Sequence, residues 1–259
     1  MGKIYSGKSY YNGIRFADQK HSLKMFKNNK GEIEYKKWTI YAQELRILYK
    51  VPLLRCLLKI INTYTIFILF YMLLDIVIVI NRDILYPSFL IDKQYLLMKV
   101  ISLALGLFVY YTIIPIVWFK FTKKGKVTAK YHGAEHMVIR ASEKEIPLTI
   151  ENVRKCSRVS RYCSTNLMVI CNILKAVIFS YILIYAGLPS LSISFIISKT
   201  LGEELFLFKN AHKIPILNII FKLGDWQQRF ITTARPDDEH LLLAIKGMSH
   251  LKSLSQEVI

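Results

Sequence analysis

Four long apolar runs constrain this chain more than anything else in it. Residues 60–80 (IINTYTIFILFYMLLDIVIVI) carry one charge, Asp75, over about the ~20 residues that a helix needs to cross a hydrocarbon core. Residues 96–119 form a second run, with Lys99 close enough to one end to snorkel and with Pro115, which a membrane helix tolerates. The third, 167–187, contains Lys175 and stops at Gly187-Leu188-Pro189. The fourth, 191–208, is shorter and carries Lys199, Glu203 and Glu204, charges that are costly in lipid unless they face protein, water or a metal. The expected fold class is mainly α: a polytopic helical membrane protein with about four transmembrane helices and cytoplasmic helical segments.

Charge gives the orientation. The 36 Lys and Arg outnumber the 18 Asp and Glu, for a net charge of +18. Residues 1–59 hold 13 basic side chains against 4 acidic ones and residues 120–166 hold 11 against 4, whereas 81–95 hold two of each. Basic residues flanking apolar spans stay in the cytoplasm. A multi-pass protein of the plasma membrane, with N- and C-termini cytoplasmic, is expected. The same residues are expected to contact anionic phospholipid. Nucleic-acid binding is excluded as an expectation, because no zinc-finger, RRM-like or helix-turn-helix pattern accompanies the charge. Four cysteines in 259 residues do not make a disulfide framework, and no apolar stretch follows a basic start as in a cleaved signal peptide.

The segments outside the spans are 1–59, 120–166 and a tail, 209–259. In the first, Asn28-Asn29-Lys30-Gly31 reads as a turn and the alternation in Glu32-Ile33-Glu34-Tyr35 as a strand, with no chemistry assigned. Residues 120–166 read as helical after Lys123-Lys124-Gly125, with a second helix capped by Thr149. The tail helix is placed from Pro236, with Asp237, Asp238 and Glu239 at its positive end and an apolar stripe of Leu241, Leu242, Ile245, Met248 and Leu251. His212, His240 and His250 are expected on the surface.

One short stretch carries chemistry. In Tyr131-His132-Gly133-Ala134-Glu135-His136 the two histidines stand four residues apart, on one face of a helix, where both can bind one divalent ion. His-x-x-Glu-His is the inverzincin order, in which Glu135 serves as general base. The third ligand is expected to be a distant carboxylate, Glu203 or Glu204, near the cytoplasmic end of the fourth run. Cys163 and Thr165 precede the third run on the same side. The bland readings are a chance match for the motif, an interfacial helix for the two carboxylates and a buried apolar cysteine.

Tyr131 to His136, the following LTIENVRKCSR (148–158), Cys163-x-Thr165 and Trp226-x-Gln228…Thr232-Thr233-x-x-Pro236-Asp237-Asp238 together resemble the YqhQ-like bacterial membrane protein family, described as predicted metal-dependent enzymes. The resemblance implies a metal site at His132 and His136, with Glu204 as the intramembrane carboxylate and Cys163 and Thr165, together with Gln228, as accessory groups. This chain departs from the family at Ser160, where the family's segment carries a histidine. The function expected is a metal-dependent, peptidase-like hydrolase using a divalent metal, zinc above all, on a membrane-proximal peptide or lipid-linked substrate. The alternative is a non-enzymatic membrane scaffold or assembly factor that docks a cytoplasmic partner. A small transporter using Asp75, Lys175 and Glu203 is a third reading, and it fits poorly with four spans.

Overall fold

The structure, a computed structural model, describes residues 6–18, 21–28, 30–39, 112–186, 191–208 and 210–256, with isolated positions between 69 and 109. The spans expected at 60–80 and over most of 96–119 lie outside the described residues. The chain divides into two compact units: Met1–Gln43, Ile114–Thr165 and Gly224–Ile259 make the first, and Glu44–Ile113 with Asn166–Leu223 the second.

The first unit begins with four strands, β1 (Ser6–Tyr10), β2 (Gly13–Ala17), β3 (His21–Lys27) and β4 (Ile33–Thr39), paired antiparallel in chain order. The expected turn at Asn28 joins β3 to β4. The Asn28 side-chain oxygen accepts the N–H groups of Lys30 and Glu32, both at 2.9 Å, so a single side chain closes the loop. Ile14 pairs with Met25 and Phe16 with Leu23 across β2 and β3, and all four are buried. Alternation thus puts them on one face.

Helix α1 (Thr112–Phe121) leads into α2 (Lys123–Glu143). Thr122 caps α2 by accepting the N–H of Gly125 at 2.9 Å. Thr149 caps the short α3 (Ile150–Arg154) by accepting from Asn152, as its sequence position leads one to expect. The last helix of the unit, α7 (Asp238–Gln256), packs on α2, β2 and β3. Its first bonds run from the Leu241 N–H to the Asp237 carbonyl. Asp237 therefore takes the capping position, and Pro236 precedes the helix rather than lying in its first turn.

The α7 stripe is a core element. Leu241, Leu243, Ala244, Met248 and Leu251 are fully buried with Ile14, Phe16, Leu23, Tyr131, Ala134 and Val138. Burying one such large side chain contributes roughly 1.5–3 kcal/mol. Leu242, expected in the stripe, is 43% exposed and Leu243 takes its place, because α7 is covered on two sides, by α2 and by the sheet. His240 is also buried, against the Tyr131 ring (centroids 4.5 Å apart), and is no surface residue. His250 is half-buried beside Tyr35, and the His212 side chain lies outside the described residues.

The second unit contains most of α4 (Ser164–Ala186), then α5 (Leu191–Leu207), a 3-10 turn at Ala211–Lys213, and α6 (Pro215–Gln227) as far as Leu223. Its core gathers Ile170, Ala211, Leu217 and Phe221. Among the described residues, one helix is long and apolar enough to cross a bilayer, over Ser164–Ile182. Helix α5, at 17 residues, stands at the lower end of the roughly 17–25 that a crossing takes. The protein is mainly helical with a small antiparallel sheet.

Candidate metal centre

Helix α2 presents His132 and His136 one turn apart, ring centroids 4.5 Å from each other. Each ring is held by a backbone carbonyl. The Nδ1–H of His132 donates to Thr232 O at 2.9 Å, and the Nδ1–H of His136 donates to Arg158 O at 2.6 Å. A carbonyl can only accept, so Nδ1 carries a proton in both imidazoles, which leaves Nε2 as the atom each ring can offer to a metal. An Nδ1–H fixed by an outer hydrogen bond is how metal-ligating histidines are oriented.

Cys163 completes the group. Its Sγ lies 3.2 Å from His132 Nε2, and the ligand atoms of His132, His136 and Cys163 all lie within 4.8 Å of one another. The residue stands immediately before α4, where its sulfur accepts the Thr165 N–H at 3.4 Å. Thr165 Oγ1 in turn bonds Thr232 Oγ1 at 3.2 Å. Thr232 therefore anchors His132 through its carbonyl and Cys163, by way of Thr165, through its hydroxyl.

A wide turn sets Thr232 in place. Gln228–Thr232 forms one turn of π-helix after α6, closed by the Thr233 N–H to Gln228 O at 3.0 Å and reinforced by the Thr233 hydroxyl on the same carbonyl at 2.7 Å. Such turns are rare and cluster at functional sites. The next residues run along α2, with the Ala234 N–H bonded to Ala129 O at 2.8 Å. This close crossing accounts for Gly133: a Cβ there would stand 2.2 Å from Ala234 O. The helix accepts a residue about 1 kcal/mol worse than Ala because the chain that orients His132 passes directly over it. Gln228 is fully buried, with its Oε1 accepting the Ser160 N–H at 2.9 Å. The position where the family resemblance led one to expect a histidine is thus a backbone contact to Gln228.

Glu135 is buried under β1. Its carboxylate accepts from the Ser9 hydroxyl, and a Cβ on Gly7 would fall 2.3 Å from its Oε1, so the strand crosses over it at a glycine. Burial raises the carboxyl above the usual glutamate range, with the His132 charge and the Ser9 hydrogen bond opposing. The N-terminal segment, to which the sequence assigned no chemistry, thus holds the candidate base through Gly7 and Ser9.

Glu203 and Glu204 sit on α5, in the second unit. The third donor beside the two histidines is the Cys163 thiol, and no carboxylate belongs to that set among the described residues. Two imidazoles and a thiol are borderline-soft donors of the kind that zinc takes, and three protein ligands leave a position open. The donor set fits a divalent transition metal. Sequence reasoning missed Thr232 and the Arg158 carbonyl, because any residue can supply a backbone carbonyl. The one hint was a glycine inside a helix between two histidines.

A family described as "Protein of unknown function (DUF1385)" matches residues 22–253. A Bacillus subtilis (strain 168) protein named "Uncharacterized protein YqhQ" is 30% identical over 158 residues, which are 59% of this chain and 46% of that protein. The chain spans about half the length of that relative. No solved structure matches. With its candidate metal-ligating set, the π-turn and most of α7 inside the matched residues, the chain belongs to the DUF1385 family as a divergent, YqhQ-like member.

Proposed function

We propose that this is a metal-dependent hydrolase of the bacterial plasma membrane, peptidase-like, with its site at the cytoplasmic face. The observation that carries the reading is the convergence of two Nδ1-anchored imidazoles and a thiol from separate parts of the chain. His132, His136 and Cys163 would hold the ion, with zinc the best match to the donors. The assignment of Glu203 or Glu204 as a ligand rests on the sequence alone. Bound there, a divalent ion supplies Lewis-acid polarisation of a carbonyl and a water whose pKa is lowered to about 7. Glu135, which burial makes a stronger base than an ordinary glutamate, would take the proton of the attacking water.

Membrane residence with about four spans and both termini cytoplasmic is supported by the apolar runs and the distribution of basic residues. It also accords with exposed apolar side chains: Val177 and Tyr181 on α4, Ile193 on α5, and Ile216 and Ile219 on α6. These would face acyl chains, and the basic segments anionic headgroups. The substrate class that suits the location is a membrane-proximal peptide or lipid-linked molecule. Under the scaffold alternative a partner docks on the cytoplasmic segments. The apolar stripe of α7 is taken up inside its own unit and is not offered to such a partner.

Glu135→Gln separates the two readings. The hydrolase account expects metal content to hold and cleavage of a peptide library by the detergent-purified protein to be lost. Cleavage at the wild-type rate would sink the role of Glu135.

A further inference from the structure

The two backbone segments that orient the histidines also carry three arginines. Arg158 supplies the carbonyl bound by His136, and Arg229 and Arg235 lie three residues to either side of Thr232, whose carbonyl is bound by His132. The segments are tied to each other at this point: Arg158 Nη2 donates to Arg229 O at 3.0 Å, and the Ser160 N–H to Gln228 Oε1 at 2.9 Å. Arg229 and Arg235 are exposed, Arg158 half-buried.

Among the described residues no carboxylate balances them. Among the described residues none of the three arginines forms an ion pair. The acidic run that follows Arg235 is taken by other cations: Asp237 pairs with Lys130 at 2.6 Å, Asp238 with Arg154 and Glu239 with Lys27. Burial, and then the like charges of Arg235 and Arg229, push the Arg158 guanidinium below the usual arginine range. A fold that gathers three guanidinium groups and spends the adjacent carboxylates elsewhere leaves a concentrated positive site. Gln228 adds a buried Nε2 that has no acceptor among the described residues.

We propose that Arg158, Arg229 and Arg235 form a phosphate-binding site beside the metal centre, taking the terminal phosphate group of a ligand. Guanidinium forks match phosphate oxygens in pairs, and planar bidentate recognition of this kind is what distinguishes arginine from a diffuse lysine surface. The placement gives the site a use. A substrate gripped by its phosphate on the π-turn would be registered against the same turn that aims His132. The phosphate site goes beyond the hydrolase reading and stands or falls separately from it.

The test is calorimetric titration of the full chain in detergent with inorganic phosphate, with dihexanoyl phosphatidic acid, and with dihexanoyl phosphatidylcholine as the zwitterionic control. Saturable binding of phosphate and of phosphatidic acid assigns recognition to the phosphate group itself, and saturable binding of phosphatidic acid alone assigns it to a lipid headgroup. Arg229→Gln/Arg235→Gln should weaken that binding by about tenfold or more, the loss expected of charge-assisted hydrogen bonds. Lys155→Gln/Lys213→Gln, which removes the same charge elsewhere, should leave it unchanged. Arg229→Lys/Arg235→Lys, which keeps the charge and the surface character, should recover binding only in part. The His132→Ala/His136→Ala protein should still bind phosphate, whether or not a metal is ever found. The proposal is overturned by the absence of saturable binding, by equal weakening in the lysine control, or by loss in the histidine variant with the arginine pair unaffected. The last result would place the anion on the metal.

Discussion

Gly133 is where local preference and tertiary demand oppose each other. Alanine would favour the helix by about 1 kcal/mol, yet its Cβ would meet Ala234 O at 2.2 Å, and overpacking of this kind typically costs about 1–3 kcal/mol. Gly133→Ala is therefore expected to destabilise the protein, and to loosen His132 by moving the Thr232 carbonyl; chemical denaturation and metal content measure the two effects. His240 makes a second prediction. Burial lowers its imidazole below the usual histidine range, the Asp237 charge opposing, the Lys130 and Lys27 charges reinforcing. The folded value then lies below the unfolded one, so the stability contribution is complete above about pH 6.5 and is lost as pH falls through the lowered value. The melting temperature should fall between pH 7.5 and 5.5, and His240→Phe should reduce that fall. At this scale the sequence singled out His132, His136 and Glu135 as candidates, because identity and spacing are local. It did not show what orients them, because Thr232 and Arg158 act through backbone carbonyls and Gly7 acts by lacking a side chain.

Helix α7 was legible as an element and half legible as a surface. Three acidic residues at its start and an apolar repeat place it in the sequence, and the structure puts it at Asp238–Gln256. Its buried face is wider than a single stripe because α2 and the sheet cover it together. Leu243→Ala should cost about 2–5 kcal/mol, the usual range for a core leucine, while Leu242→Ala, at 43% exposure, should stay within about 0.5 kcal/mol of wild type. Denaturant midpoints of the two variants decide it, and similar values would contradict the packing described. The sheet was harder to foresee. Strands of five to seven residues such as β2, with Ile14 and Phe16 as its only large apolar side chains, give too short an alternation to stand out. Thr122 and Thr149, by contrast, mark their helices because a capping hydroxyl acts on an N–H only three residues away.

For the whole molecule, membrane residence is a proposal that rests on the apolar runs, and the candidate metal centre lies in the unit that contains the sheet, α2 and α7. Apolar run length and basic-residue asymmetry are whole-chain signals, readable without a structure. The third donor is not such a signal, because Cys163 reaches His132 only through the crossing of α2, the π-turn and the start of α4. The sequence offered Glu203 and Glu204 for that place, and their role as ligands rests on the sequence alone. The measurement that bears most directly on the account is the metal content of the protein purified in detergent without chelator, by elemental mass spectrometry, for wild type, His132→Ala/His136→Ala, Cys163→Ala and Glu204→Gln. A near-stoichiometric divalent ion is expected in wild type and Glu204→Gln, strongly reduced in Cys163→Ala and lost in the histidine pair. Wild-type protein that holds no ion after reconstitution with zinc, manganese or iron, or an ion retained without the two histidines, would contradict it.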